Sequence, residues 1–102
     1  MTRKNVTTSL KAALQQLPYT MEVRLFGSEA RGDARKDSDI DLLILLDLGQ
    51  VSLLDEEKIF SALYPIELQH GIVINPIILP KNGWGARKTP LYENIEKEGV
   101  TL

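Results

Sequence analysis

The residues of this chain best suited to chemistry are a glycine–serine pair and two aspartates that follow it. Gly27 and Ser28 end an apolar run, ten residues separate Ser28 from Asp39, and Asp41 comes two positions later. Glycine lets the backbone turn sharply and approach a phosphate. Residues two apart on a strand share a face, and two neighbouring carboxylates repel unless a cation lies between them. Because Mg²⁺ prefers carboxylate oxygens together with phosphates, the pattern predicts a magnesium site that handles a nucleoside triphosphate.

Two further features strengthen this prediction. Ser28 and the amides after it could donate hydrogen bonds to phosphate oxygens if Ser28 opens a helix. Arg31 follows one turn later and could reach the same anion through two hydrogen bonds. Each residue alone also has an ordinary interpretation: a strand-to-helix turn for Gly27 and Ser28, a solvated strand end for the aspartates, and a surface ion pair for Arg31. The combination at a fixed spacing is more specific than its parts.

The hydrophobic pattern predicts the elements that hold these residues. An almost continuously apolar run at 40–46 is typical of a central strand covered on both faces, so the aspartates should lie at its start. Pro76 makes the strand at 72–79 an edge strand or a bulged one. Pro65 either ends the second helix or leads into an extended segment at 66–68. The predicted order is helix 6–17, strand 22–26, a short helix or turn 28–32, strand 40–46, helix 51–68, strand 72–79, a loop at 81–90 and helix 91–98. This order predicts an α/β (α+β) fold with a small mixed sheet and flanking helices.

Length and composition set bounds on the function. The chain has 102 residues, so we expect a single domain over 1–102. Its formal charge of −2 argues against a general nucleic-acid-binding surface. It contains no cysteine, which excludes disulfides, thiolate zinc sites and cysteine nucleophiles and fits a cytoplasmic protein. The start of the chain does not read as a signal peptide, and the longest apolar run is too short to span a bilayer, so no membrane association is expected.

The two parts of the motif resemble a known signature. Segments 27–32 (GSEARG) and 38–42 (SDIDL) look like the signature of the minimal nucleotidyltransferases, which belong to the DNA polymerase beta-like superfamily. The resemblance implies the corresponding fold and the transfer of AMP, or another NMP, from a nucleoside triphosphate to a hydroxyl of a protein or small molecule. It implies that Asp39 and Asp41 bind Mg²⁺. The residues it assigns to nucleotide binding are Gly27, Ser28, Arg31 and Ser38.

The resemblance also implies a partner. Many small relatives are paired with a helical HEPN protein in toxin–antitoxin systems, where the nucleotidyltransferase is the antitoxin and can adenylylate its partner. Segment 84–102 carries more apolar residues than so small a core should bury. It therefore either exposes an interface for a helical partner or a second copy, or packs on the open face of the sheet.

The chain departs from the family pattern at one position. Relatives usually carry a third carboxylate, a metal ligand and general base, on the strand after the two aspartates. The strand predicted there contains no acid, and Asn75 occupies the expected place. Glu67 is the nearest acid that could act catalytically instead, although it could also be a surface residue at a helix end. The departure leaves two alternatives to an active enzyme: a weak or inactive antitoxin that acts by contact, and a subunit whose site is completed by a second chain.

Overall fold

The chain folds into a mixed sheet with helices on both faces. The computed structural model describes residues 3–32, 34–35, 38–86 and 89–102. The four strands lie in the order β3-β2-β1-β4, with β1 antiparallel to both β2 and β4 and with β2 parallel to β3. The elements are α1 Arg3–Gln15, β1 Met21–Phe26, α2 Ser28–Arg31, β2 Ile40–Leu46, α3 Leu53–His70, β3 Ile74–Pro80, a 3-10 helix Lys81–Ala86, α4 Pro90–Glu98 and β4 Val100–Thr101. The predicted α+β class is confirmed, and the strand at 40–46 is central as predicted.

Strand β2 divides the core into two halves. Its alternate residues Ile40, Leu42, Ile44 and Leu46 are buried against α1 and α3. Leu43 and Leu45 point to the other face, where they pack with Trp84 of the 3-10 helix and Ile95 of α4. A strand buried on both faces needs apolar residues at nearly every position, which explains the uninterrupted run.

Helix α3 continues through Pro65 to His70, so the predicted break or extended segment at 66–68 is wrong. The helix begins with Ser52 and Asp55 in a reciprocal capping box and ends at Gly71, whose φ is 65°. Proline deprives the carbonyl four residues earlier of its partner. That carbonyl belongs to Ser61, which is exposed like Pro65, so water can satisfy it. Burial of helix residues on both sides of the proline then outweighs the lost bond.

Most of the C-terminal segment 84–102 packs on the sheet, which was one of its two predicted arrangements. Trp84 and Ile95 are buried on the second face of the sheet, while Leu91 and Val100 remain exposed. The predicted loop at 81–90 contains the 3-10 helix, and residues 100–101 form an additional short strand beside β1 that the sequence did not predict. Among the helices of the described residues, none is long and apolar enough to cross a membrane.

Candidate active site

The two aspartates of the motif meet at the start of β2. Asp39 immediately precedes the strand, and Asp41 is its second residue, opposite Asn75 in the parallel pairing with β3. The side-chain nitrogen Nδ2 of Asn75 donates to Asp39 Oδ2 at 3.2 Å and to Asp41 Oδ1 at 3.3 Å. One amide therefore bridges both carboxylates, which confirms that the aspartates share a face. Asn75 also occupies the position expected for the third carboxylate.

Gly27 shapes the wall beside Asp41. It has φ 70° and ψ −146°, a conformation open almost only to glycine. A Cβ atom built on Gly27 would lie 2.5 Å from Asp41 Oδ2, closer than real Cβ contacts allow. The register explains this proximity, because Phe26 at the end of β1 pairs with Asp41. Gly27 is thus required both for the turn and for the space that the Asp41 carboxylate occupies.

The remaining motif residues surround this pair at different distances. Ser28 opens the four-residue helix α2, whose first turn closes with a hydrogen bond from the Arg31 amide to the Gly27 carbonyl. The Arg31 guanidinium is exposed and lies 3.9 Å from the Glu98 carboxylate of α4. The Ser38 hydroxyl accepts a hydrogen bond of 2.8 Å from the Arg35 amide, so these two residues lie together just before Asp39. Residues 33, 36 and 37 of this predicted loop lie outside the described part of the chain.

The structure does not bring Glu67 to the aspartates. Its carboxylate Oε2 accepts a 2.9 Å hydrogen bond from the Ile74 amide at the start of β3. Within the described ranges, no group of three or more His, Cys, Asp or Glu residues is arranged to hold a metal ion. The sheet separates Glu67 from the aspartates. Ile74 is buried on the face that packs against α1 and α3, whereas Asp41 shares the opposite face with Leu43 and Leu45.

A hydrogen-bonded network on the site's face of the sheet was not predicted. The Glu96 carboxylate of α4 accepts hydrogen bonds from Trp84 Nε1 at 2.6 Å and from Arg24 of β1 at 2.7 Å. These donors, the indole first, lower the pKa of Glu96 below its ordinary value. The network joins α4 and the 3-10 helix to the sheet. Pairing across this sequence distance leaves no local signal.

The donor set of the site fits a magnesium ion. Two convergent carboxylates provide the hard, anionic oxygens that Mg²⁺ prefers. Rotation of the Asn75 amide by half a turn would replace its Nδ2 with Oδ1 and supply a third, neutral oxygen. Gly27 has no side chain, so its backbone can approach a phosphate closely.

Comparison with known proteins gives a consistent result. Residues 8–101 match the family model of the nucleotidyltransferase domain. A Methanocaldococcus jannaschii protein, provisionally named a protein adenylyltransferase, is 36% identical over 100 residues, which cover 98% of this chain and 90% of that protein. The protein adenylyltransferase MntA of Thermococcus cleftensis is 30% identical and covers 90% of this chain and 89% of its own length.

Solved structures share the fold. One described provisionally as a minimal nucleotidyltransferase has a TM-score of 0.69 at 29% identity and covers 100% of this chain and 97% of its own. A toxin–antitoxin structure with AMP-PNP has a TM-score of 0.66 at 16% identity, over 92% of this chain and 69% of its own. The chain therefore belongs to the nucleotidyltransferase domain family, and it is similar to a protein described as a minimal nucleotidyltransferase.

Proposed function

We propose that this nucleotidyltransferase uses Mg²⁺ and ATP to transfer AMP to a hydroxyl of a partner protein in the cytoplasm. The observation that carries the proposal is the convergence of Asp39 and Asp41 beside the Gly27 turn, where even a Cβ atom would collide with a carboxylate. In this proposal the two aspartates hold Mg²⁺, and Gly27 with Ser28 receives the triphosphate. Arg31 and Ser38 have secondary roles in binding the nucleotide, because their side chains already contact Glu98 and Arg35, respectively.

The reaction assigns a task to each group. The acceptor oxygen forms a bond to the α-phosphorus of ATP, the bond from that phosphorus to the bridging oxygen breaks, and pyrophosphate leaves with the electron pair. Bound Mg²⁺ would neutralise charge that develops on the phosphate oxygens. The aspartates would hold the Mg²⁺ against the triphosphate, since carboxylates alone repel phosphates, and the Gly27 turn keeps side chains away from the triphosphate. The proton of the acceptor hydroxyl must pass to a base.

Names of similar proteins support the choice of nucleotide and acceptor. Two relatives that match most of this chain are named protein adenylyltransferases, one of them provisionally. A structure with the same fold is a toxin–antitoxin complex with the ATP analogue AMP-PNP. We therefore propose ATP as the substrate and a helical toxin of the HEPN type as the acceptor, with this chain as its antitoxin. A second copy of this chain is the alternative partner.

Asn75 favours a second candidate function. An amide at this position can orient the aspartates or ligate a cation, but it cannot accept the proton of the acceptor hydroxyl. A positioned base typically contributes roughly a hundred- to ten-thousandfold in rate. Unless a base comes from elsewhere, including a partner chain, transfer should be slow. The protein would then act chiefly by binding its partner, with nucleotide bound weakly or not turned over.

Calorimetric titration with ATP in the presence and absence of Mg²⁺ tests the proposed site. Asp39→Asn and Asp41→Asn should each abolish magnesium-dependent binding, while circular dichroism shows an unchanged fold. Asp47→Asn is the matched control, because Asp47 is an exposed aspartate just beyond the other end of β2. If both site variants keep the wild-type affinity for ATP and Mg²⁺, the proposal is wrong.

A further inference from the structure

Helix α3 carries a second apolar stripe that the fold does not use. Its buried residues Ile59, Leu63 and Ile66 face the sheet. On another side, four large apolar residues follow one another at intervals of seven, four and four, which places them along one line of the helix. They are exposed to 84%, 47%, 58% and 66%, respectively, at Leu53, Phe60, Tyr64 and Leu68. An exposed apolar stripe of this length marks an interaction surface.

The stripe borders a groove with an acidic rim. This α3 groove, of about 500 Å³, runs between the helix and the edge strand β3. Three acids and no basic residue occur among the described residues that line it, and the acids are Glu56, Glu57 and Glu67. Lys58, the only lysine of the helix, points elsewhere, with its Nζ 6.0 Å from the centre of the Tyr19 ring. The groove is therefore complementary to an apolar segment flanked by positive charge.

The edge of β3 decides which shape of segment can bind. The Ile40 amide donates to the Val73 carbonyl, so the odd-numbered residues of this strand direct their backbone groups to β2. The even-numbered residues direct their backbone N–H and C=O groups away from β2, toward the open edge, and they are Ile74, Pro76, Ile78 and Pro80. The two prolines have no N–H, and the Ile74 N–H is already bonded to Glu67. A strand could not pair along this edge, so a helix is the form of segment that fits.

The α3 groove and the candidate active site share strand β3 but lie on opposite faces of the sheet. Ile74 and Pro76 line the groove, and Asn75 between them contacts both aspartates. Successive side chains of a strand point to opposite faces, so a segment in the groove contacts Ile74 and Pro76 from the side of β3 away from the Asn75 side chain. Because β3 is an edge strand, a protein docked in this groove could reach the nucleotide with a part that extends around that edge.

We propose that the α3 groove binds a basic amphipathic helix of the acceptor protein. The identification of the bound protein as the acceptor rests on the proposed function, whereas the docking does not. Leucine-sized side chains of the helix would contact Phe60 and Tyr64, and its lysines or arginines would lie against the glutamates of the rim. This arrangement would give the enzyme a means of choosing its acceptor.

A designed peptide tests the docking directly. The probe is a fluorescently labelled amphipathic helix of about five turns with leucine on one face and lysine on the other, and a peptide with glutamate in place of lysine is its control. Anisotropy without nucleotide should show saturable binding of the lysine peptide, weakened by salt, and at least tenfold weaker binding of the glutamate peptide.

Two surface variants locate the site. Phe60→Ser and Tyr64→Ser should each weaken binding of the lysine peptide about tenfold or more, because each removes a large apolar contact. Leu91→Ser is the matched control, since Leu91 is an exposed apolar residue of α4 outside the groove. Equal binding by all three variants, or equal binding of the two peptides, would overturn the proposal. So would light scattering that shows a wild-type dimer converted to a monomer by Phe60→Ser, because the groove would then be occupied by a second copy.

One further variant separates this inference from the proposed function. Asp39→Asn should bind the lysine peptide as the wild type does, even though it is expected to lose magnesium-dependent ATP binding. Loss of nucleotide binding alone tests the proposed reaction, and loss of peptide binding in the groove variants alone tests the docking.

Discussion

Substitution of Gly27 by alanine separates the need for a turn from the need for space beside Asp41. The new Cβ would lie 2.5 Å from Asp41 Oδ2, and ordinary contact begins at 3.4 Å, so the two must separate by about 0.9 Å. A displacement of about 1 Å can lower a catalytic rate roughly a hundredfold. The backbone conformation of Gly27 adds strain of about 1–3 kcal/mol in any other residue. Gly27→Ala should therefore lose both stability and magnesium-dependent ATP binding.

Gly32→Ala is the matched control for this experiment. Gly32 also has a positive φ, 79°, but nothing lies within 4 Å of the Cβ it would gain. Strain of about 1 kcal/mol in the left-handed conformation should lower Tm by roughly 4–8 °C in a domain of this size. Thermal unfolding and calorimetry on both variants should show two destabilised proteins, of which only Gly32→Ala still binds ATP with Mg²⁺. Equal ATP affinity in the two variants would refute the assignment of Gly27 to the site.

Three further substitutions test individual contacts. Asn75→Asp should raise the rate of AMP transfer to the acceptor by up to about a hundred- to ten-thousandfold, measured with ATP labelled at the α-phosphate, and unchanged transfer would show that the missing carboxylate is not limiting. Glu67→Gln should lower the free energy of unfolding by about 1 kcal/mol, because a charge-assisted bond to the Ile74 amide becomes a neutral one, and should leave transfer unchanged; a loss of transfer would make Glu67 the base. The hydrogen bonds to Glu96 lower its pKa in the folded protein below the ordinary value of 4.5. The stability that these bonds provide is therefore present above pH 4.5 and is lost as the pH falls through the lower pKa of the folded state. Glu96→Gln should flatten this acid limb in a series of Tm measurements, and an unchanged limb would assign it to other carboxylates.

The parts of the fold that the sequence predicts are those with strong local patterns. The apolar run at 40–46 predicts a central strand because burial on both faces demands it. Pro76 predicts an edge strand because proline cannot donate to a neighbour, and β3 lies at the edge of the sheet. The prediction at Pro65 was wrong because the effect of this proline on α3 depends on whether the carbonyl of Ser61 faces water, which the local sequence does not show. The strand at 100–101 has too few residues to show a pattern and exists only because β1 offers an edge.

In the candidate site too, local patterns predict some positions and leave others undecided. The spacing of Asp39 and Asp41 predicts a shared face because strand alternation is a local rule, and the structure agrees. The position of Glu67 could not be decided in this way, because it depends on which face of the sheet α3 covers. The α3 groove was also beyond sequence reasoning. The sequence does not distinguish the exposed stripe from the core side of α3, because both sides are apolar. Only the packing of the helix shows which side is buried and which is exposed, and the exposed residues are Leu53, Phe60, Tyr64 and Leu68.

The electrostatics of the site connect Asn75 to the biology. Asp39 and Asp41 together carry the charge that one Mg²⁺ neutralises, and a neutral amide at the third position adds no charge to hold a second cation. Transfer with two metal ions stabilises both the attacking and the leaving oxygen. A site with one cation can still hold and orient ATP, but it loses help at the attacking hydroxyl, where the described residues place no third carboxylate. Selection on such a protein would then act more on recognition of its partner than on rate. An acceptor held in the α3 groove would remain bound to this chain long enough for a slow reaction to occur.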